Sequence, residues 1–363
     1  MNIPFFDYQR QLKKINREID KAIKQVLISG KLILGQEVKN FEDNFSKYIG
    51  AKYGIGVNSG TDALKIALRA LNIKTGDEVI TASNTAVPTV SAIREIGAVP
   101  QFVDIKEDYT IDEFKITKKI TKKTKAILPV HLYGQPCNMP AILKIAKKYK
   151  LKVLEDCCQA HGAKIGCREV GAFGDISCFS FYPTKNLGAY GDGGIILTQK
   201  EKLAKTCRAL RMYGMKRGYY AEREGYNSRL DEMQAAILNV KLKYLKKWNA
   251  RRTTIAKYYF KNIKNQKIIL PKINKYASSS FHLFVVRSQR RNKLKKYLHD
   301  NDINCGIHYP YPIHLQKAYK FLGYKKGDLP MTEKFSKQII SLPIFPELTA
   351  KEIKYIVENL NKF

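Results

Sequence analysis

The sequence predicts an α/β protein with two parts. A large domain carries a mostly parallel, mixed sheet flanked by helices, and a smaller α+β domain follows it. Short apolar runs alternate with amphipathic stretches in the order YGIGV, TDALKIALRAL, DEVITAS, VSAIREIG, KAILPVHLYG, AILKIAKKYK and KVLEDC. This alternation is typical of parallel sheets covered on both faces, whose active sites lie at the carboxyl ends of the strands. The alternation stops near residue 175, which indicates a change of architecture.

The elements around this region follow other patterns. A helix is predicted from Tyr8 to Ser29, ending at Gly30, because apolar residues recur there at helical spacing. Between Asp175 and Thr198, the strand-like runs ISCFSFY and GGIILT are joined by a glycine loop that leaves no room for a helix. We expect an antiparallel or mixed pairing of these two strands.

The last part of the chain predicts the smaller domain. One long or bent helix is expected from Leu230 to about Ile263, because the stretch contains no helix breaker. It is followed by a predicted strand FHLFVV, a helix around KLKKYLHD, a strand INCGIHY and a last helix. Thr349 and Glu352 have the spacing of a capping box at the start of that helix. We therefore predict a large domain over residues 1–245 and a small one over residues 246–363.

Composition is that of a soluble globular protein, with 44% hydrophobic and 27% charged residues. No apolar run approaches the roughly 20 residues of a membrane span, and the start MNIPFFDYQR lacks the order of a signal peptide. Seven cysteines are an odd number for a disulfide framework, so we expect reduced thiols and a cytoplasmic location. The run CCQAH offers Cys158 and His161 to a metal but has no second ligand pair at zinc-like spacing, so we predict no metal site.

The net charge of +33 is compatible with a nucleic acid or another polyanion as partner. However, the lysines are scattered through helix-like segments such as ILKIAKKYK and YLKKWNARR and do not form a tail. We therefore favour solvated helix faces and expect no nucleic-acid partner, while a nucleic-acid binder stays as an alternative of a different class.

Three segments carry residues suited to chemistry. In GIGVNSGTDAL, residues Ser59, Gly60 and Thr61 open a helix and present backbone N–H groups and a hydroxyl to an anion, although an ordinary capped helix explains them equally well. In KVLEDCCQAHG, Asp156 ends an apolar strand, where a carboxylate needs a partner such as a cationic ring nitrogen, a lysine or an arginine. His161 in the same segment is interpreted as structural.

Lys185 lies in the third segment, SFYPTKNLGAYGDGG. A Walker-type phosphate loop is excluded because its glycines precede the lysine, whereas here they follow it. A lysine at a strand end is usually a surface charge, yet a desolvated lysine loses proton affinity and becomes a competent amine nucleophile. Together the three segments meet the needs of pyridoxal phosphate: a lysine for the covalent bond, a carboxylate for the pyridine nitrogen and a cradle for the phosphate.

These residues lie in motifs that resemble the sugar aminotransferases of the DegT/DnrJ/EryC1/StrS family, within fold type I of the pyridoxal-phosphate enzymes. The motifs run in order over nearly the whole chain: NSGTDALKIAL, PVHLYGQPCNM, EDCCQAHGA, GAFGDISCFSFYPTKNLGAYGDGG, YNSRLDEMQAAIL and a fainter GIHYPYPIHLQ. The intact lysine disfavours the related dehydratase branch, which has histidine at that position.

The resemblance implies a role for each matching residue. Lys185 binds the cofactor covalently and shuttles a proton, Asp156 pairs with the pyridine nitrogen, and Gln159 lies against the ring near its phenolic oxygen. The remaining implied contacts are the phosphate cradle of Ser59, Gly60, Thr61 and Ser180, with Asn227 reaching it from the neighbouring subunit of a homodimer, and a sugar-nucleotide pocket shaped by Arg229, Tyr309 and His314.

One position departs from the family pattern. Many relatives carry an aromatic residue at the position of Ala86 to stack on the cofactor, and here Ala86 or Val87 would supply aliphatic contact instead.

The resemblance also implies a reaction. Glutamate is the expected amino donor, and the acceptor is a nucleotide-linked keto-6-deoxyhexose. PVHLYGQP and YNSRLDEMQAA favour amination at C-3 of a dTDP-3-keto sugar over amination at C-4, in the biosynthesis of deoxyamino sugars of the O-antigen or surface-polysaccharide type. A non-catalytic regulatory protein that retains the fold is the other alternative, and it would be expected to lose Lys185 or Asp156.

Overall fold

The computed structural model describes residues 2–363. Its helices are α1 (Tyr8–Ser29), α2 (Gln36–Ile49), α3 (Gly60–Ala70), α4 (Val87–Glu95), α5 (Glu113–Ile116), α6 (Met139–Tyr149), α7 (Glu201–Leu210), α8 (Glu232–Asn262), α9 (Arg291–Asp300), α10 (Pro330–Gln338) and α11 (Ala350–Lys362). Within the described residues, none of these helices has the length and apolar character that a membrane span requires.

The strands are β1 (Tyr53–Val57), β2 (Glu78–Ala82), β3 (Val99–Val103), β4 (Thr124–Ile127), β5 (Lys152–Asp156), β6 (Lys164–Ile165), β7 (Arg168–Glu169), β8 (Ile176–Ser180), β9 (Gly194–Thr198), β10 (Met215–Arg217), β11 (Tyr220–Ala221), β12 (Ala277–Ser278), β13 (Phe284–Arg287) and β14 (Ile339–Leu342). Seven of them form the central sheet in the order β1-β9-β8-β5-β4-β2-β3.

This central sheet confirms the predicted mixed architecture. Strands β3, β2, β4, β5 and β8 pair in parallel, while β9 runs antiparallel to both β8 and β1. The glycine loop between β8 and β9 contains no helix that could serve as a crossover, which agrees with their antiparallel pairing. The parallel strands are almost fully buried, as their continuous apolar runs predict.

The first helix begins and ends where its sequence pattern does. Its buried residues include Ile15, Ile19 and Val26, and the left-handed backbone of Gly30 ends it. Ile15 and Ile19 share an apolar cluster with Ile237 of α8, so α1 lies along the long helix.

The C-terminal region departs from its prediction in one strand. The run INCGIHY was expected to be a strand, and this is wrong, since Ile303 and Gly306 form only isolated bridges, with Ile3 and Ser341. The strand that pairs with β13 is β14, the apolar run IISL that sequence periodicity did not single out. β14 pairs with β13 along its full length, while Ile303 forms a bridge with Ile3 of the N-terminal segment.

A separate apolar cluster packs this region. It joins Tyr259 of α8 to Phe284 of β13, Leu298 of α9 and Ile356 of α11. The division at residues 245 and 246 lies inside α8 and stays a prediction.

The capping box at α11 is confirmed and carries a stability prediction. The Thr349 hydroxyl accepts a hydrogen bond from the Glu352 amide, and the Glu352 carboxylate accepts one from the Thr349 amide. Replacing Thr349 by alanine is expected to lower the free energy of unfolding by about 1 kcal/mol, because one N–H of the first turn loses its acceptor. Urea unfolding measures the change. Thr349→Ser keeps the acceptor and serves as the control, so an equal loss in both variants would contradict the capping role.

Candidate active site

A cavity of about 400 Å³ opens at the carboxyl ends of the parallel strands. It brings together nine residues that the sequence singled out: Ser59, Gly60, Thr61, Ala86, Asp156, Gln159, Ser180, Lys185 and Tyr309. These residues come from positions spread along the chain between residues 59 and 309. They meet because parallel strands place their following loops at one edge of the sheet.

The anion cradle combines the start of α3 with the end of β8. A Cβ atom on Gly60 would lie 2.6 Å from the Ser180 Cβ atom, so only glycine permits this close approach. The Ser59 hydroxyl accepts a hydrogen bond from the Asp62 amide and therefore caps the helix. The free N–H groups at the helix start and the Ser180 hydroxyl form a site that suits a phosphate.

Asp156 lies at the end of β5, and both its backbone and its side chain form hydrogen bonds. Its backbone N–H donates to Pro129 and its carbonyl accepts from His131. Its side chain accepts one hydrogen bond from the Cys158 amide at 3.1 Å and another from the Thr89 hydroxyl at 2.9 Å. The carboxylate is thus oriented by the protein itself.

Lys185 follows β8 and lines the same cavity. Its backbone N–H donates to the carbonyl of Tyr182 in a tight turn. Burial lowers the pKa of the Lys185 ammonium, against the opposing influence of Cys158 and Asp156. A lower pKa increases the fraction of neutral amine, which is the nucleophilic form.

Gln159 connects two tyrosines at the wall of the cavity. Its side-chain oxygen accepts from the Tyr133 amide at 2.9 Å, and its side-chain nitrogen donates to the Tyr309 hydroxyl at 2.9 Å. Burial raises the pKa of Tyr309 to about 12, so its hydroxyl stays protonated and has a hydrogen to donate.

Ala86 and Val87 form an aliphatic part of the cavity wall. Ala86 is the N-cap residue of α4 and Val87 is its first residue. The side chain of Val87 is 41% exposed, as expected for a residue that faces an open cavity.

Two predicted residues lie in a neighbouring cavity. Asn227 and Arg229 line a polar space of about 350 Å³ together with Asn58 and Gln234. Asp192 lines both this space and the cavity of Lys185.

His314 does not line the cavity of Lys185, and its part in a sugar-nucleotide pocket stays a prediction. It is 1% exposed, and its ring nitrogens are engaged by the Ser83 hydroxyl at 2.8 Å and the Glu333 carboxylate at 3.2 Å. Both nitrogens are used inside the protein, so a direct ligand contact is not available to them.

Two other histidines have structural surroundings. His131, Glu155 and Cys157 are the one group among residues 2–363 whose ligand atoms lie close enough to hold a metal, within 4.8 Å of one another. However, Glu155 already accepts hydrogen bonds from His131 and from three backbone amides of residues 171–174. His161 is packed against Phe179, and burial lowers its pKa to about 3.

Sequence reasoning missed seven residues of the cavity wall, of which three are apolar and four can form hydrogen bonds: Leu64, Pro88 and Val130, and Thr85, Thr89, Tyr182 and Asp192. Thr85 and Thr89 belong to the segment SNTAVPT, which follows β2 at the same sheet edge as the other sites. That position after a parallel strand is the signal that could have identified them.

These residues fit pyridoxal phosphate, because an amine, a fixed carboxylate and a close-packed anion cradle face one cavity. The protein is therefore an aminotransferase of fold type I that uses this cofactor. The chain belongs to the DegT/DnrJ/EryC1/StrS aminotransferase family, whose sequence profile matches residues 13–361.

Individual relatives match over their whole length. A dTDP-3-amino-3,6-dideoxy-alpha-D-galactopyranose transaminase of Aneurinibacillus thermoaerophilus is 48% identical over 99% of both chains. A protein of Geobacillus stearothermophilus named a pleiotropic regulatory protein is 43% identical over 100% of this chain and 99% of its own. The crystal structure of DesV from S. venezuelae, in complex with a ketimine intermediate, has a TM-score of 0.98 at 41% identity, covering 99% of this chain and 98% of that one.

The lowered pKa of Lys185 predicts a pH-dependent stability difference. Lys185→Met is expected to stabilise the cofactor-free protein, because the unfolded chain binds the lysine proton more tightly than the folded chain does. The gain is largest below the lowered folded-state pKa and fades as the pH approaches about 10.4, the usual lysine value. Urea unfolding at several pH values measures it.

The matched control is Lys39→Met on the exposed face of α2, which should show no such trend. A gain for Lys185→Met that stays constant across the whole pH range would contradict the burial effect.

Proposed function

We propose that this protein transfers an amino group from glutamate to C-3 of a dTDP-linked 3-keto-6-deoxyhexose, in the biosynthesis of deoxyamino sugars. The observation that carries the proposal is the convergence of Lys185, Asp156 and the Gly60–Ser180 cradle in one cavity. The choice of acceptor is supported by the relative that is named for a dTDP-3-amino sugar and is 48% identical.

Each residue of the cavity has its own role in the proposed reaction. The Gly60–Ser180 cradle would hold the phosphate of the cofactor, and Asp156 would pair with its ring nitrogen. The Lys185 amine would bind the cofactor covalently and, once released from it, would act as the base that takes a proton from the substrate carbon and as the acid that gives it back. Bound pyridoxal phosphate supplies the electron sink for this chemistry. Tyr309, neutral and held by Gln159, can donate a hydrogen bond to a sugar oxygen.

A homodimer with shared active sites accounts for Asn227 and Arg229. Both lie outside the Lys185 cavity of their own chain, in the adjoining polar space. We infer that they act across a subunit interface, Asn227 on the phosphate and Arg229 on the sugar nucleotide. The exposed apolar side chains of Leu27 and Ile28, at the end of α1, and of Leu32, in the connection to α2, suit such an interface.

Other proposals have less support. A C-4 aminotransferase would use the same catalytic residues, so it differs only in how the sugar lies in the pocket.

A regulatory role, suggested by the name of the Geobacillus relative, does not require Lys185 or Asp156, and both are present in the cavity. The charge of +33 also suits a cytoplasmic enzyme with many solvated lysines and does not require a nucleic-acid partner.

Lys185→Ala is expected to abolish turnover and the visible absorbance of the bound cofactor, because no other group in the cavity offers an amine at that position. Absorbance of the purified protein and an amino-transfer assay measure the two effects. Lys39→Ala on α2 is the control, since it changes one exposed lysine and leaves the cavity intact. Retention of full activity by Lys185→Ala would overturn the assignment.

The acceptor is tested by incubating the holoenzyme with glutamate and dTDP-linked 3-keto and 4-keto 6-deoxyhexoses. We expect the amine at C-3, because the chain is 48% identical over its length to a transaminase named for a dTDP-3-amino sugar. Mass spectrometry and NMR of the product identify the aminated carbon. Amination of the 4-keto sugar alone would favour the C-4 alternative, and the absence of any aminated product would reject the class of acceptor.

A further inference from the structure

We propose that Thr85 and Thr89 form a hydrogen-bond relay that positions the carboxylate of Asp156 for the ring nitrogen of the cofactor. This inference rests on the proposed pairing of Asp156 with that nitrogen. Neither threonine belongs to the motifs that identified the site. Both are positioning residues, since they act on the cofactor through Asp156.

The geometry of the relay is continuous. The Thr85 and Thr89 hydroxyl oxygens are 2.9 Å apart, and the Thr89 hydroxyl donates to the Asp156 carboxylate at 2.9 Å. The three residues are 2%, 2% and 3% exposed, respectively. Water therefore competes little with these bonds.

The chemistry of the groups sets the direction of each bond. An ionised carboxylate only accepts hydrogen bonds, so the single Thr89 hydroxyl hydrogen points to Asp156. The Thr85 hydroxyl must then donate to the Thr89 oxygen. Polarisation along such a chain strengthens the bond to the carboxylate.

The start of α4 shows that these hydroxyls are not used for helix capping. Ala86 is the N-cap residue and has no side chain able to accept from the first turn, and α4 has no side-chain cap. Threonine hydroxyls near a helix start commonly serve as caps. Here the Thr89 hydroxyl, on the third residue of the helix, bonds to Asp156 instead.

The relay completes the support of the carboxylate. One oxygen of Asp156 accepts from the Cys158 amide and the other from Thr89, so each is oriented by one donor. Each oxygen keeps an acceptor site, and one of these is available to a protonated ring nitrogen.

The test compares Thr89→Val, which removes the hydroxyl at nearly constant shape, with Thr89→Ser, which keeps it. We expect Thr89→Val to raise the Kd of the cofactor-free protein for pyridoxal phosphate about tenfold, which corresponds to ~1.4 kcal/mol of binding free energy. Thr89→Ser should restore the affinity of the wild type, because it keeps the hydroxyl that donates to Asp156. Fluorescence titration with pyridoxal phosphate measures the affinity of each variant.

Thr85→Val is a second variant that removes only the outer hydroxyl, and it should show a smaller change of the same sign. Unchanged affinity in Thr89→Val, or an equal defect in Thr89→Ser, would overturn the relay. Asp156→Asn separates the two levels of the proposal. If Asp156→Asn binds the cofactor as the wild type does, the pairing of Asp156 itself fails. If Asp156→Asn loses affinity for the cofactor but the threonine variants bind it as the wild type does, only the relay is rejected.

Discussion

The end of strand β5 is the point on which the rest of the site depends. Adjacent residues of a strand point to opposite faces, so Glu155 and Asp156 serve different partners. Glu155 gathers the amides of the loop at residues 171–174 and the ring of His131, while Asp156 faces the cavity. Two buried carboxylates next to each other are costly, and donated hydrogen bonds stabilise both: four on Glu155 and two on Asp156.

The hydrogen bonds of Glu155 connect the packing of this loop to the position of the residues in the cavity. The loop bound by Glu155 leads directly into β8, and β8 carries Ser180 of the anion cradle and is followed by Lys185. Asp156 lines the same cavity as Ser180 and Lys185. Glu155 therefore holds the loop that continues into the segment of Ser180 and Lys185, although Glu155 lines no part of the cavity itself.

Much of the fold could be predicted because local patterns and tertiary demands agree. Helix α1 has clear apolar spacing, α8 contains no helix breaker and α11 begins with a capping box. The glycine loop, which leaves no room for a crossover helix, favoured the antiparallel pairing of β8 with β9. The strand INCGIHY failed because an apolar run has no fixed partner until the chain is folded. In the folded protein β14 takes the place beside β13.

The sequence by itself determined the chemistry of this protein: a lysine, a carboxylate and a small-residue turn, each at the end of a strand pattern and within motifs of one family. Local order along the chain is enough for this, since residue type and strand ends are local properties. Only the tertiary structure decided which side chains share the cavity. It placed His314 in a buried bond to Glu333, set Asn227 and Arg229 in a neighbouring space, and aimed Thr89 at Asp156. These are contacts between distant segments, and their geometry depends on how strands and helices pack.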